Sequence, residues 1–236
     1  MQKMLGYLRK AIIDYHMIED GDRIAVGVSG GKDSLVLLEG LSRLRRFIGI
    51  DYQLTALTLD LCFGGKPSDF SAVQALCDSH QIPFIIRLTD IGPIVFDIRK
   101  EQHPCSLCAR MRRGGLHDLA VEHGCNKIAF GHHFDDAVET FLMNLFYEGR
   151  VDCFSPVTYL SRKQITLIRP MIYAPEKEVR KAAVRTKLPV CKNPCPADGN
   201  TGRETTKRLL EKLETTYPGL RQRLFGTLQR EQISGF

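Results

Sequence analysis

The chain has 236 residues, 43% of them hydrophobic and 25% charged, which is typical of a globular protein with one large core. No apolar run approaches the length of a membrane-spanning helix, so we expect no membrane partner. The formal charge of +6 is uneven: residues 1–149 hold 16 Lys and Arg against 19 Asp and Glu, and residues 150–236 hold 17 against 8, an excess of +9. A basic last third favours a polyanionic partner such as nucleic acid, although a basic surface without such a partner explains the charge equally well.

Hydrophobic patterns predict strands that alternate with helices over the first 150 residues. The predicted helices cover about residues 3–16, 35–44, 68–80, 109–122 and 136–147, and the predicted strands cover residues 24–28, 54–60, 83–88 and 127–131. This alternation is typical of an α/β fold with a doubly wound, mainly parallel sheet. Such sheets bind ligands at the carboxyl ends of their strands, where we expect the site.

The pattern changes after Gly149. It predicts a hairpin at 158–169, a helix at 176–186, a loop at 188–200, and two basic helices interrupted at Tyr217-Pro-Gly219. We therefore divide the chain into an α/β domain at residues 1–150 and a basic, mostly helical extension at residues 151–236.

The amino terminus and the cysteines indicate a compartment. Residues 1–10 predict an amphipathic helix and lack the apolar core and cleavage site of a signal peptide, so we expect a cytoplasmic protein. In a reducing compartment the eight cysteines do not predict disulfides. Cys77 and Cys125 lie in apolar patterns typical of buried side chains, which leaves the clustered cysteines as metal or catalytic candidates.

A glycine-containing loop, Val28-Ser-Gly-Gly-Lys-Asp-Ser34, follows the first predicted strand and precedes a helix. Paired glycines let the backbone approach a ligand, and N–H groups at a helix N-terminus bind anions. An ordinary strand–helix turn is the alternative, and the spacing differs from that of the Walker A motif. The complete string favours a phosphate site, with these candidate residues: Ser29, Gly30, Gly31, Lys32, Asp33 and Ser34.

A second string, Gly131-His-His-Phe-Asp-Asp136, ends the fourth predicted strand. Its adjacent carboxylates suit Mg²⁺ beside nucleotide phosphates. Asp136 and Glu139 also match a capping box, with Asp136 as the capping residue. The structural and functional interpretations of Asp136 weigh equally, whereas for Asp135 we favour a role in the site.

The pair Cys105-Ser-Leu-Cys108 lies at a predicted loop-to-helix junction, followed by three arginines. Amide N–H groups and arginines at such a junction lower thiol pKa values. The spacing by itself is compatible with a redox pair, a zinc site, an iron–sulfur site or coincidence. Cys191 and Cys195 compete as a third ligand, and loop cysteines without a role are the alternative for both.

Taken together, these strings resemble the tRNA 2-thiocytidine synthetases (TtcA type) of the PP-loop ATP pyrophosphatases, over about residues 10–230. Besides the phosphate loop, the matching strings are Pro104-Cys-Ser-Leu-Cys-Ala-Arg-Met-Arg-Arg-Gly114, Gly131–Asp136, Asn144-Leu-Phe-Tyr-Glu-Gly149, Ile168-Arg-Pro170 and Cys195. The resemblance implies an ATP-dependent enzyme that thiolates cytidine 32 in the anticodon loop of tRNA. Arg112 matches the thiocytidine branch, because 2-thiouridine relatives often carry lysine at its position.

The resemblance also implies ATP and Mg²⁺ at the phosphate loop, at Gly131 and at Asp136, with Asp60 beside the adenosine. The cytidine O2 atom attacks the α-phosphate and releases pyrophosphate, and sulfide then displaces AMP from C2. Lys32 binds phosphate in this scheme. Arg112 stabilises developing negative charge, and Asp135 places the metal or a proton.

A [4Fe–4S] cluster with one open iron position is the implied sulfide carrier, held by Cys105, Cys108 and either Cys191 or Cys195. We predict that Cys195 is the third ligand, because the prolines on both sides of it stiffen the backbone. Residues 1–150 would then carry the ATP site and the C-x-x-C helix, and residues 151–236 would complete the cluster site and contact tRNA.

The implied partners are tRNA, a sulfur donor (a cysteine desulfurase or free sulfide) and a second copy of the chain in a homodimer. Three alternatives stay open. The chain is compatible with a tRNA 2-thiouridine synthetase and with a cluster-free enzyme in which Cys105 or Cys108 carries a persulfide. It is also compatible with a zinc-stabilised RNA-binding protein whose nucleotide site no longer turns over.

Overall fold

The computed structural model describes residues 1–99, 104–191, 195–196 and 202–236. The helices are α1 (Gln2–Asp14), α2 (Lys32–Leu44), α3 (Ser71–Ser79), α4 (Pro104–Glu122), α5 (Phe134–Met143), α6 (Glu176–Arg185), α7 (Gly202–Thr216) and α8 (Leu220–Arg230). The strands are β1 (Asp22–Gly27), β2 (Tyr52–Asp60), β3 (Phe84–Leu88), β4 (Lys127–Ala129), β5 (Val157–Leu160) and β6 (Ile165–Ile168). Each predicted helix and strand is confirmed, with shifted ends; much of the predicted loop at 188–200 lies outside the described residues.

The six strands form one sheet in the order β3-β2-β1-β4-β6-β5, parallel except for the β5–β6 hairpin. The predicted doubly wound, mainly parallel sheet is therefore confirmed. Within β1, Ile24 pairs with Leu54 on one side and with Lys127 on the other. Because the strand order reverses between β1 and β4, their carboxyl ends form the point where doubly wound sheets bind ligands.

Helices cover both faces of the sheet, so β1 is buried on both sides and has a continuous apolar pattern. Ile24 and Val26 contact the larger core cluster, to which α1, α2, α5 and α6 contribute. Ala25 contacts a second cluster on the opposite face, where α4 contributes Leu119. The alternation along β1 follows from the two-residue period of a strand.

Residues 151–236 continue the same structure. β6 pairs with β4, α6 packs against α2, and α7 and α8 pack against α5. Both segments contribute strands to the same sheet. The separate functions assigned to residues 1–150 and 151–236 therefore stay predictions. No helix in the described part of the chain combines the length and apolarity needed to cross a bilayer.

For two of the helices, side-chain hydrogen bonds explain why the first residue differs from the predicted one. α3 begins at Ser71, because the Asp60 carboxylate holds Ser68 in a loop by accepting from its N–H at 2.6 Å and from its hydroxyl at 3.0 Å. α5 begins at Phe134, because the His133 side chain caps it. Both shifts therefore originate beside the ends of β2 and β4, where the site is expected.

Candidate active site

The phosphate loop joins β1 to α2 at the reversal point of the sheet. Gly31 caps α2 with an extended backbone, φ −77° and ψ 158°. The N–H of Ser29 donates to Ser34 Oγ at 3.2 Å, and the N–H of Gly31 donates to Ser29 Oγ at 3.3 Å. Ser34 Oγ donates in turn to the Gly31 carbonyl at 2.9 Å. These bonds hold the loop in one shape at the N-terminus of α2, where the helix dipole favours a phosphate.

Two glycines are required by close approaches. Gly30 has φ +77°, and a Cβ there would lie 3.1 Å from Cys191 Cβ. A Cβ on Gly131 would lie 2.9 Å from the backbone carbonyl carbon of Asp33. Gly131, predicted to bind the cofactor, thus allows the end of β4 to pack against the first turn of α2. This packing brings the second string beside the phosphate loop.

Lys32 lies between two carboxylates. Its Nζ is 2.9 Å from Asp33 Oδ1 and 3.3 Å from Glu176 Oε1, and Glu176 also accepts from Lys207 at 2.8 Å. Burial by itself lowers the pKa of Lys32, but the carboxylates of Asp33 and Glu176 outweigh it and raise that pKa. Burial raises the pKa of Glu176, but Lys207 and Lys32 outweigh it and bring that pKa to about 2. Lys32 is therefore held at the loop as a cation.

Sequence reasoning missed Glu176. It is the first residue of α6, where acidic side chains are common because they favour the helix dipole. No local pattern distinguishes such a residue from one that bridges to a phosphate loop distant in sequence. Only its ion pair with Lys32 identifies it as part of the site.

Asp60, predicted beside the adenosine, is 2% exposed at the end of β2. Its carboxylate accepts from the N–H of Cys62 at 3.0 Å and from both donors of Ser68. Asp60 thus shapes the loop after β2, which lines the main cavity. Both carboxylate oxygens accept hydrogen bonds from the protein, and the position of Asp60 beside the adenosine stays a prediction.

Asp136 takes part in a capping box, but not the one predicted. The Asp136 N–H donates to His133 Nδ1 at 3.4 Å, and the His133 N–H donates to Asp136 Oδ2 at 2.9 Å. The prediction that Asp136 caps the helix with Glu139 as its partner is wrong, because α5 begins at Phe134 and Asp136 is its third residue. Burial raises the pKa of Asp136, but His133, His132 and Arg203 outweigh it and lower that pKa.

The catalytic role predicted for Asp135 stays a prediction, but both of its carboxylate oxygens accept hydrogen bonds from the protein. The Glu176 N–H donates to Asp135 Oδ2 at 2.6 Å, and Arg221 donates to Asp135 Oδ1 at 2.9 Å. Asp136, by contrast, lines a cavity beside the loop together with Asp33. Because both oxygens of Asp135 are engaged, the structure favours a positioning role for this residue: it fixes the start of α6 and thereby Glu176, the partner of Lys32.

Three cations of the last third of the chain point into the site. Arg203 of α7 pairs with Asp136, Lys207 pairs with Glu176, and Arg221 of α8 pairs with Asp135. The basic composition had predicted that this segment faces a polyanion. These three side chains instead neutralise carboxylates around the phosphate loop. The burial of Leu210 against the main core orients α7 in this way.

Glu139, on the second turn of α5, is 4% exposed. Burial and the neighbouring Asp136 charge raise the pKa of Glu139 to about 7, and Arg203, whose NH1 is 3.7 Å away, opposes that rise. The unfolded chain loses this proton near the ordinary Glu pKa of about 4.3. Glu139 thus binds a proton in the folded state that the unfolded state has already lost at neutral pH.

A group with a raised folded pKa contributes stability at low pH and loses it as the pH rises through the folded pKa. We therefore expect the free energy of unfolding to fall by roughly 2 kcal/mol from pH 5 to pH 7, relative to a Glu139→Gln variant. Urea unfolding of both proteins across this range measures the difference. The lowered pKa of Glu176 changes the free energy of unfolding only below about pH 4.5, so it does not contribute to the difference between pH 5 and pH 7. Parallel pH profiles would contradict the raised pKa of Glu139.

The main cavity has a volume of about 910 Å³, a size suited to a nucleotide. It opens between the phosphate loop, the loop after β2 and the first turns of α4. The predicted site residues that line it are Ser29, Gly31, Asp60, Cys105, Cys108, Arg112 and Cys195; Cys191 lines it as well. The fold therefore brings the phosphate loop and the cysteines to one cavity, although they are distant in sequence.

The cysteines fall into two groups. Cys105 is exposed and Cys108 is 6% exposed on the first turn of α4, three residues apart on one helix face. Burial raises the pKa of Cys108, the nearby Arg112 opposes that rise, and the charges of Cys195 and Cys105 add to it. Cys191 lines the same cavity from the phosphate loop, where its N–H donates to the Gly30 carbonyl at 2.9 Å.

In the described part of the chain, no three His, Cys, Asp or Glu side chains form a ready-made metal site. The donor chemistry nevertheless fits a thiophilic group. Cys105, Cys108 and Cys195 line one cavity, and the last two influence each other electrostatically. Thiolates select zinc, Cu(I) or iron–sulfur centres, and Arg112 beside Cys108 favours the thiolate form.

A phosphate loop at a helix N-terminus, placed where the strand order reverses, defines a nucleotide-binding α/β protein. Comparison with known proteins agrees, since the PP-loop domain family matches residues 5–212. The chain is 42% identical to the tRNA-cytidine(32) 2-sulfurtransferase of Syntrophotalea carbinolica, over 98% of this chain and 89% of the relative. It is 38% identical to the enzyme of that name from Geobacter sulfurreducens, over 98% of this chain and 90% of the relative. The chain therefore belongs to the PP-loop family and, within it, to the family of the tRNA-cytidine(32) 2-sulfurtransferases.

A solved structure is similar over the whole fold. It is the U34-tRNA thiolase NcsA from Methanococcus maripaludis with its [4Fe–4S] cluster, with a TM-score of 0.78 and 26% sequence identity. The similarity covers 97% of this chain and 77% of the thiolase chain. The family resemblance inferred from the motifs is thereby confirmed.

Proposed function

We propose that the protein replaces the O2 atom of cytidine 32 in tRNA with sulfur, in a reaction that consumes ATP. One observation carries this proposal: the phosphate loop and the three predicted ligand thiols, those of Cys105, Cys108 and Cys195, line the same cavity, so an adenylated base and a sulfur carrier can meet there. The names of the relatives at 42% and 38% identity support the choice of cytidine over uridine.

In the first step the cytidine O2 atom attacks the α-phosphate of ATP, and pyrophosphate leaves. Lys32, which Asp33 and Glu176 hold at the phosphate loop, would bind the phosphates together with the loop hydroxyls. Arg112, which lines the main cavity, would stabilise the negative charge that develops. Asp33 and Asp136, which line a cavity beside the loop, would hold Mg²⁺. Asp135 acts through Glu176 by fixing the position of Lys32.

In the second step sulfur replaces the activated oxygen at C2, and AMP leaves. Cys105, Cys108 and Cys195 would hold a [4Fe–4S] cluster, which supplies the sulfide when bound. The cluster that is present in the structurally similar thiolase supports this assignment. The sulfur donor (a cysteine desulfurase or free sulfide), the homodimer and the cytoplasmic location stay predictions.

The test is a thiolation assay with anaerobically reconstituted protein, ATP and tRNA that lacks the modification. Nucleoside mass spectrometry is expected to detect 2-thiocytidine, with AMP and pyrophosphate as products. Formation of 2-thiouridine instead would place the enzyme in the uridine branch. Full activity without iron would support the cluster-free persulfide enzyme, and tRNA binding without any pyrophosphate release would support the zinc-stabilised RNA-binding protein.

The tRNA is expected to contact the outward side of α7. Arg208 and Lys212 are exposed there, whereas Arg203 and Lys207, which the sequence grouped with them, pair with site carboxylates. We expect an Arg208→Gln/Lys212→Gln protein to lose about 1.4–1.8 from the slope of log K against log salt, because each phosphate contact adds roughly 0.7–0.9.

Filter binding of tRNA at several salt concentrations measures that slope. A charge-matched control is Arg9→Gln/Arg46→Gln, which removes two exposed cations from the acidic part of the chain and should leave the slope unchanged. Equal slopes for the two double variants would contradict the prediction that α7 contacts tRNA.

A further inference from the structure

A second cavity of about 570 Å³ lies on the other side of the phosphate loop from the thiols. Ser29 and Arg112 line both cavities, whereas Asp33 and Ser34 line only the second. The second cavity is strongly basic, and its arginines are Arg112, Arg113, Arg169 and Arg203. The two cavities therefore meet at Ser29 and Arg112, with the N-terminus of α2 forming part of the wall of the second.

Arg169, which follows β6 in the Ile168-Arg-Pro170 string, is the least exposed of these arginines, at 7%. Its NH1 donates to the Ser155 carbonyl, and its guanidinium lies 4.7 Å from the centre of the Phe154 ring. The buried Nε has no hydrogen-bond partner. In the described part of the chain, Arg169 forms no ion pair with a carboxylate, so it is a buried cation without a counter-charge.

A buried charge is unfavourable unless it is paired, so this arrangement requires an explanation other than stability. Burial lowers the pKa of Arg169 to about 10; the neighbouring Cys153 opposes that effect, and the positive charge of Arg113 adds to it. The group remains a cation at neutral pH. Desolvation lowers the pKa of His132, which is half-buried, and the charges of Arg169 and Arg203 add to that effect; His132 Nδ1 lacks a hydrogen-bond partner as well. Of the four cavity arginines, Arg203 is paired with Asp136, whereas Arg169 has no carboxylate partner in the described part of the chain.

We propose that Arg169 binds the β- and γ-phosphates of ATP and then the pyrophosphate that leaves. This inference rests on the proposed function. With the adenosine in the main cavity and the terminal phosphates in the second, the nucleotide crosses from one to the other at Ser29 and Arg112. The bond between the cytidine oxygen and the α-phosphorus forms while the bond from the α-phosphorus to the bridging oxygen breaks. That electron pair goes to the pyrophosphate, and the planar guanidinium of Arg169 can bind the added charge through two parallel hydrogen bonds.

Phosphate groups also occur in the RNA backbone, and the same chemistry would bind them. The position of Arg169 argues for the nucleotide. The Arg169 side chain is buried beside the phosphate loop, whereas the phosphates of an RNA backbone bind to exposed cations such as Arg208. The experiment therefore measures pyrophosphate and tRNA separately.

Calorimetric titration of the full-length protein with inorganic pyrophosphate tests the inference. Arg169→Met keeps the length of the side chain and removes its charge, and it is expected to weaken pyrophosphate binding by about tenfold or more. Arg169→Lys keeps the charge without the planar fork, so it should restore part of the affinity. Arg162→Gln, an exposed change on the same hairpin, should bind as the unmodified protein does. The affinity for tRNA should be unchanged in all three.

Thermal unfolding separates a binding role from a structural one. Because Arg169 is buried without a counter-charge, Arg169→Met should melt at the same temperature as the unmodified protein or higher when no ligand is added, and pyrophosphate should no longer raise that temperature. Unchanged pyrophosphate affinity with a lowered melting temperature would make Arg169 structural and overturn the inference. Loss of tRNA affinity in place of pyrophosphate affinity would overturn it in favour of an RNA phosphate.

If Arg169→Met does not fold, the Arg169→Lys protein tests the inference. If this protein bound pyrophosphate as tightly as the unmodified protein does, the inference would be overturned. Failure of the proposed function gives a different result. The unmodified protein would then produce no thiolated nucleoside, whatever the Arg169 variants bind.

Discussion

Replacing Lys32 with alanine is expected to lower the rate of tRNA thiolation by about 10²-fold or more. Lys32 is the first residue of α2, and its ammonium lies at the phosphate loop, held by Asp33 and Glu176. A cation placed in advance at a helix N-terminus stabilises the charge that develops on the transferred phosphoryl group. Alanine removes that charge and leaves the backbone N–H groups of the loop in place.

The fold should survive this substitution. Glu176 keeps its ion pair with Lys207 at 2.8 Å, so removal of Lys32 does not leave a buried carboxylate without a partner. The matched control is Lys177→Ala, which removes an exposed lysine one residue beyond Glu176. Initial rates of 2-thiocytidine formation, with iron content and melting temperature measured on the same preparations, test the prediction. Normal turnover by the Lys32→Ala protein would disprove the assignment of this loop.

Replacing Cys195 with alanine is expected to abolish both the broad visible absorption of a [4Fe–4S] cluster and all thiolation. Cys195 lines the main cavity with Cys105 and Cys108, and its charge contributes to the raised pKa of Cys108. A cluster held by three thiolates does not tolerate the loss of one, because metal affinity depends on the complete set of ligands. Of the two flanking prolines, Pro194 lies outside the described residues, so the stiffening argument stays a prediction.

Cys191→Ala is the matched control for this experiment. Cys191 lines the same cavity, but its N–H donates to the Gly30 carbonyl and its side chain packs beside Gly30. Its pKa is raised by burial and by the charge of Asp69. We expect this variant to keep its iron and its activity, with a modest loss of stability from the cavity that the missing sulfur leaves.

Anaerobic reconstitution followed by iron and sulfide analysis distinguishes the two cysteines. If the Cys191 variant lost its iron and the Cys195 variant kept it, the third cluster ligand would be Cys191 and not Cys195. Unchanged iron content in both variants would exclude a cluster held by three cysteines. The persulfide enzyme would then be tested through thiolation by Cys105 and Cys108 variants.

Short motifs and hydrophobic periods identified most of the fold and part of the site. The alternation of strands and helices requires only local patterns, because the two-residue and 3.6-residue periods are properties of the backbone. The phosphate loop is equally local: its glycines, serines and lysine are consecutive and lie at a strand–helix junction. These features were therefore predicted with their approximate boundaries.

The roles of individual charged residues depend on contacts between distant parts of the chain. Asp135 and Asp136 are adjacent in sequence, yet Asp135 binds the start of α6 while Asp136 lines a cavity, because neighbouring residues of a helix point about 100° apart. The same geometry separates Lys207, which faces Glu176, from Arg208, which is exposed. Composition counts both as positive charge and cannot tell which one faces the site and which one pairs with Glu204 on the surface.

The parallel sheet, the phosphate loop and the cysteine pair could be predicted, because each depends on residues that are close together along the chain. The ion pair of Glu176 with Lys32, the three cations that neutralise site carboxylates, and the burial of Arg169 without a carboxylate partner among the described residues could not be predicted. Ion pairing and desolvation act through space and not along the chain. Their partners come from helices and strands that only the packing of the sheet brings within a few ångströms.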